Sequence, residues 1–234
     1  MQLIRIQKLE GNLELLSGLR IGASEGEIRI GGVDNQVIRH PHSGHPYIPG
    51  SSLKGKVRSL LEWRSGAVKP APLEFRDIND RYPLVKPILQ LFGVGGGDRL
   101  SDDQARQLGP TRLSFWDAAL RRDWIDRILA DNQLPVEVKT ENRIDRIKGV
   151  AENPRQAERV PSGAAFDFRL SIKVLDTDGD GTELRRVLFQ GLRLLELDSL
   201  GGSGSRGYGK VKFKDLRLDG SDVQQEFDQT KPFE

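Results

Sequence analysis

Side chains capable of chemistry concentrate in two well-separated stretches. The first is Ile30-Gly31-Gly32-Val33-Asp34-Asn35-Gln36-Val37-Ile38-Arg39, running on to Tyr47-Ile48-Pro49-Gly50-Ser51-Ser52-Leu53-Lys54-Gly55-Lys56. It reads as a strand ending in a glycine-flanked carboxylate, then a loop, then a helix start bearing hydroxyls and lysines. Such a start binds phosphate through free N–H groups and the helix dipole, reinforced here by Lys54 and Arg58. The second is Leu200-Gly201-Gly202-Ser203-Gly204-Ser205-Arg206-Gly207-Tyr208-Gly209-Lys210. Its glycines let backbone approach a ligand closely, and Arg206 and Lys210 add charge. Tyr208 supplies either a stacking face or core packing behind the loop. By residue physics alone Asp34 is a turn former whose carboxylate bonds its own backbone.

Other patterns fail on context. Gly202 to Gly207 spells a dinucleotide fingerprint, yet it follows a helix and precedes a strand, the reverse of the required order. Gly50 to Lys56 and Gly204 to Lys210 match the first seven letters of a P-loop. Each then presents a valine, Val57 or Val211, where a magnesium-binding hydroxyl belongs. Asp176-Thr177-Asp178-Gly179-Asp180-Gly181 opens like a calcium loop but has Val187 at the position of the bidentate glutamate, so it reads as a polar strand-to-helix turn. His40, His42 and His45 crowd into one short loop with Pro41, Gly44 and Pro46, which makes a surface loop rather than a rigid metal cage. No metal-ligand set is assigned.

The elements that position these stretches follow from periodicity. Leu53, Val57, Leu60 and Leu61 form one apolar stripe of a helix that Ser51 or Ser52 can cap. Phe166 to Val174 alternates without a fault, as a half-buried strand does. A second helix, from about Thr182 to Leu195, carries Leu184, Leu188, Leu192 and Leu195, and a final strand spans about Lys210 to Leu218. The N-terminal residues Met1 to Lys8 alternate and carry charge, so they read as a strand rather than a secretion signal. The order fits an α+β class, a ferredoxin-like or RNA-recognition-type βαββαβ core with its middle elaborated.

The 234 residues suffice for one domain with a sizeable core, and the absence of cysteine excludes disulfides, thiolate zinc sites and cysteine nucleophiles. No run approaches the roughly 18 apolar residues of a membrane span. Net charge is only +2, but the last sixteen residues are acidic, leaving 35 basic against 29 acidic residues on the body. A body of that balance can face a polyanion.

Both stretches resemble the signature segments of the RAMP superfamily, most closely the backbone subunits of the Csm complex in type III-A CRISPR systems. The likeness extends to Leu19-Arg20-Ile21-Gly22, to Val138-Lys139-Thr140-Glu141-Asn142-Arg143-Ile144-Asp145-Arg146 and to Asn153-Pro154-Arg155-Gln156-Ala157-Glu158-Arg159, and it covers most of residues 1–218. The resemblance implies a modified RNA-recognition palm with an extended β-hairpin thumb. This is expected as one domain over 1–218, with insertions at about 67–134, the thumb at about 135–165 and a polar acidic tail at 219–234. It implies stacking of copies in a helical array along a guide crRNA, contact with a complementary target RNA and with other Csm-complex subunits, and a cytoplasmic location without a membrane. Asp34 takes the place of the family's target-cutting aspartate, supported by a transiently bound divalent metal, Mg2+. Ser51, Ser52, Lys54, Arg58 and Arg206 take the place of guide-backbone contacts, and Asn142, Arg143 and Arg155 of thumb contacts. Arg20 stands where relatives often have histidine; it can clamp phosphate but cannot shuttle a proton near neutral pH. Gln36 replaces a frequent proline, and His40 stands where an acidic residue is common. The alternative function is an RNA-binding scaffold without its own nuclease activity. A guide-processing nuclease would want a histidine near the core, and a nucleotide-dependent enzyme would want the missing P-loop hydroxyl.

Overall fold

The computed structural model describes residues 1–22, 36–95 and 99–234. Its centre is an antiparallel sheet built on β1 (Leu3–Leu15), flanked by β7 (Ala165–Leu175) and β8 (Val211–Leu218). The short strands β3 (Leu113–Phe115) and β9 (Ser221–Asp222) complete the order β3-β7-β1-β8-β9. Helix α1 (Gly50–Ser65) lies between β1 and β3 in the chain, and α5 (Thr182–Leu197) between β7 and β8. This connectivity is the split βαβ arrangement of a ferredoxin-like palm.

Alternation makes the sheet one-sided. Leu9, Leu13 and Leu15 on β1, Phe166, Phe168, Leu170 and Ile172 on β7, and Val211 and Phe213 on β8 are all buried beneath the helices. The stripe Leu53, Val57 and Leu61 of α1 and the stripe Leu184, Leu188, Leu192 and Leu195 of α5 close that core. Gly191 sets how closely the two helices meet, because a side-chain carbon there would lie 2.7 Å from Val57 Cγ1. The opposite face carries Lys8, Glu10, Asn12, Glu14, Asp167, Arg169, Ser171 and Lys173, so it has no aromatic platform of the kind on which RNA-recognition sheets stack bases.

Three expectations change. Neither Ser51 nor Ser52 caps α1: Pro49 holds the N-cap position, and the Gly50 amide donates to Asp117 Oδ1 at 2.8 Å. Gly50 is pressed onto the backbone of Phe115, so the helix starts one residue early and a carboxylate from another part of the chain takes the capping role. The stretch 67–134 contains more than insertions. β3 within it is a strand of the palm, and α2 (Val85–Phe92), α3 (Asp102–Leu108), β4 (Ala118–Ala119) and α4 (Arg122–Ala130) surround it, β4 pairing with β2 (Tyr47–Ile48). The acidic C-terminus is no free tail. There α6 (Gln224–Gln229) drives Phe227 fully into the core, edge-on to Phe189 and Phe213.

The calcium-like turn serves the fold. Asp178 receives two hydrogen bonds from the fully buried Arg112, at 2.7 and 3.0 Å, while Asp180 Oδ1 accepts the Thr182 amide at the start of α5. No helix among the described residues is long and apolar enough to cross a membrane.

Candidate nucleic-acid interface

Residues 137–159 form a hairpin of β5 (Glu137–Ile144) and β6 (Ala151–Arg159), a two-stranded sheet separate from the palm. Asp145 builds its turn, accepting the amides of Ile147 and Lys148 at 2.8 Å, and leaves Ile147 almost fully exposed at the tip. The hairpin is rooted by reciprocal backbone bonds between Leu19 and Val160, at 2.8 and 2.9 Å. Leu19 thereby sits at the junction of palm and hairpin, with Arg20 following it.

The glycine-rich loop closes over the same junction. The amides of Gly202 and Gly209 donate to the carbonyls of Arg20 and Gly18, each at 2.9 Å, and the Leu200 amide donates to Gly209 at 2.8 Å. Gly209 has φ +72°, and a side-chain carbon there would lie 1.9 Å from the Leu200 carbonyl oxygen. Only glycine fits that approach.

Arg206 leaves the loop to pair with Glu141 on β5 at 2.7 Å. Tyr208 is buried, its ring lying between Lys139, 4.6 Å from the ring centre, and Arg159, 5.0 Å away. Core packing behind the loop is therefore the reading that holds for Tyr208, with its hydroxyl turned toward the hairpin. Partial burial opposes the Glu141 charge, yet Tyr208, Arg206 and Lys139 around it prevail and hold its carboxyl below the usual range. Burial, and then the Glu141 carboxylate, push the Tyr208 phenol up.

Asp34 lies outside the described residues, but the chain on either side of its segment is anchored at this junction. Gly22 bridges Val37, and the Ile38 amide donates to the Ile21 carbonyl at 2.9 Å. Buried Glu158 on β6 accepts the Val37 amide at 2.9 Å and pairs with Arg39 at 2.5 Å. A carboxylate inside a predicted hairpin thus holds Val37 and Arg39 in place. Alternation did not single out Glu158, and its function depends on a strand register invisible in one dimension.

The structure gathers Arg20 and Arg206 at the root of the hairpin and places Asn142, Arg143 and Arg155 further along it, all three exposed. Among the described residues neither Arg143 nor Arg155 has an ion-pair partner. Ser51, Ser52, Lys54 and Arg58 sit apart on α1, which reaches the end of α5 through Lys56 and Asp198 at 2.7 Å. Ser51 is exposed at the helix start. Lys54 is half-buried, and burial, then repulsion from Arg58, lowers its ammonium. Arg58 is committed within the fold, donating to Glu62 at 2.7 Å and to the Leu73 carbonyl at 3.3 Å. No three His, Asp or Glu side chains converge as metal ligands among the described residues. The three-histidine loop instead uses His40 Nδ1 to accept the amides of His42 and Ser43.

Such a junction presents exposed guanidinium groups and a projecting hairpin, a combination suited to a ribose–phosphate chain. Comparison with known proteins points the same way. The profile of the RAMP superfamily matches residues 12–212. A protein of Streptococcus thermophilus named CRISPR system Cms endoribonuclease Csm3 is 42% identical over 213 residues, covering 90% of this chain and 88% of that protein. Its namesake in Methanothermobacter thermautotrophicus is 38% identical over 231 residues, covering 92% and 87%. Among solved structures, the Csm3–Csm4 subcomplex of a type III-A CRISPR-Cas interference complex matches with a TM-score of 0.56 at 29% identity, covering 93% of this chain and 80% of the matched one. The crystal structure of Methanopyrus kandleri Csm3 matches with a TM-score of 0.56 at 25% identity, covering 91% and 77%.

Proposed function

Because the chain belongs to the RAMP superfamily, we propose that it is a guide-RNA-binding backbone subunit of a type III-A CRISPR effector complex that also cuts bound target RNA as an endoribonuclease. The observation that carries this reading is identity of 34 to 42% with Csm3 endoribonucleases over about nine-tenths of the chain. The junction geometry supports it, since three of the segments that resemble the family's signatures, those around Arg20, the glycine-rich loop and the hairpin strands, meet at one root although they are far apart in sequence. Partners are the guide crRNA, a complementary target RNA, further copies of the chain and other complex subunits, acting in the cytoplasm.

Each basic group has a role in this reading. Arg20 clamps phosphate beside the glycine-rich loop, whose backbone approaches the guide. Asn142, Arg143 and Arg155 contact RNA along the hairpin, and Ser51, Ser52 and Lys54 offer a second contact at the start of α1. Arg58, already held by Glu62 and the Leu73 carbonyl, serves the fold more than it meets RNA. Asp34 orients the ribose 2′-hydroxyl and takes up its proton as the oxygen attacks the adjacent phosphorus. The bond to the 5′-oxygen of the next nucleotide then breaks, leaving a 2′,3′-cyclic phosphate and a 5′-oxygen that takes a proton from water, while arginines offset the charge. A divalent ion such as Mg2+, held by Asp34 and a target phosphate, would supply further charge stabilisation. A site of one carboxylate plus substrate phosphate is ordinary for Mg2+ and needs no protein cage.

The test is cleavage of a guide-complementary RNA by the assembled complex in magnesium, comparing the wild-type chain with Asp34→Ala. Regularly spaced cuts that vanish in the variant, with target binding kept, are expected. No cuts by either protein alongside tight guide binding would leave the scaffold function alone. Loss of target binding in the variant would overturn the assignment of Asp34.

A further inference from the structure

The contact between Arg206 and Glu141 poses a problem for any protein that grips RNA here. A loop arginine placed for phosphate is taken by a carboxylate of the protein itself, at 2.7 Å. Glu141 also attracts Lys139, 3.6 Å away, and stands directly across the strand pair from Arg155. Beside it the buried Tyr208 hydroxyl faces Glu141 and helps hold that carboxylate's charge. Two cations and one hydroxyl therefore converge on a position now filled by a single carboxylate.

We infer that Lys139, Arg206 and the Tyr208 hydroxyl form a subsite for one RNA phosphodiester, and that Glu141 occupies this subsite as an internal anion until RNA displaces it. A phosphodiester carries the same single negative charge as Glu141, with two free oxygens set more widely than a carboxylate's. It can therefore engage Arg206 and Lys139 while still reaching Tyr208. Glu141 is exposed enough to swing toward solvent, and the exchange would release the glycine-rich loop from the hairpin. Before RNA binds, the same contact keeps the hairpin seated and the cationic cluster from repelling itself apart. The inference rests on the RNA-binding function proposed above and adds to it a masked site and a competitor built into the chain.

Fluorescence titration of the full-length chain with a single-stranded RNA of guide length, at several salt concentrations, tests it. Glu141→Gln keeps the shape and removes the charge. It is expected to bind RNA about threefold to tenfold more tightly, with a plot of log affinity against log salt steeper by about 0.7, the increment for one further phosphate contact. Glu141→Ala should act in the same direction, so a folding fault in one variant, seen as a lowered Tm, does not decide the question. In an Arg206→Ala background the gain should largely disappear. Weaker binding by both Glu141 variants would mean that the carboxylate positions Arg206 instead of competing with RNA, and would overturn the subsite. Wild-type binding with no gain in either variant overturns it equally. Failure of the wild-type chain to bind RNA at all overturns the proposed function as well, which separates the two.

Discussion

At the scale of single residues, charges in this protein divide into those spent on the fold and those left for a ligand. Arg112 and Asp178 are the clearest of the first kind, each side chain 1% exposed. Burial alone would discourage the Asp178 charge, but hydrogen bonds from Arg112 and the Leu175 amide, with the Arg112 charge, outweigh it and lower its carboxyl. A carboxyl lowered in the folded state contributes stability that is present above its unfolded pKa, about 3.9, and is lost as pH falls through the folded value. Thermal melts from pH 7 down to pH 3 should therefore show a fall in Tm concentrated at the acid end. Asp178→Asn should melt lower throughout and lose that part of the acid dependence, because it strands the Arg112 charge, a change that costs about 3–5 kcal/mol. An unchanged Tm at neutral pH would show that the pair is dispensable. Arg143 and Arg155 are of the second kind, exposed and without an internal partner among the described residues. Alanine at either should weaken RNA binding alike for unrelated sequences and reduce the salt slope by about 0.7, as loss of a phosphate contact does. A sequence-dependent loss would instead assign them to base recognition.

At the scale of elements, the short pieces hold the long ones in place. α6 is only six residues, yet Phe227 is fully buried against Phe189 of α5 and Phe213 of β8. Phe227→Ala should cost about 3–5 kcal/mol, the range for emptying a buried aromatic site, read as a lower urea midpoint with an unchanged m-value. A loss below 1 kcal/mol would mean that α6 detaches readily and that the palm ends at β8. The start of α1 depends on a distant part in the same way, since its cap is Asp117. The Ser-Ser pair in the chain suggested a local cap, and the local signal lost to tertiary contact because Gly50 packs directly on the backbone of Phe115. Three-residue β3 was illegible for a related reason. Its pairing with β7 makes it a strand, and three residues are too few to show a period.

At the scale of the whole molecule, the palm is a platform whose open sheet face is charged and cross-paired, as where Arg169 meets Glu10 and Lys214 meets Glu14. The proposed RNA contacts accordingly fall on the loops and hairpin at one end of the sheet. A net charge of +2 cannot steer a polyanion by itself, so the arrangement of cations matters more than their number. Chain patterning alone determined the long elements, because burying one face of a strand or helix imposes its period on the residues. It also determined the family, because long non-repetitive strings such as Tyr47–Lys56 and Leu200–Val211 are specific in a way that glycine patterns are not. Only the tertiary structure decided which distant residues pair. Glu141 holding Arg206, Glu158 holding Val37 and Arg39, Asp117 capping α1 and Arg112 holding Asp178 each join residues 65 or more positions apart, or partners in different elements. An ion pair or cap of that kind leaves no period in the chain, since its energy depends on distance in space and on the water removed around it.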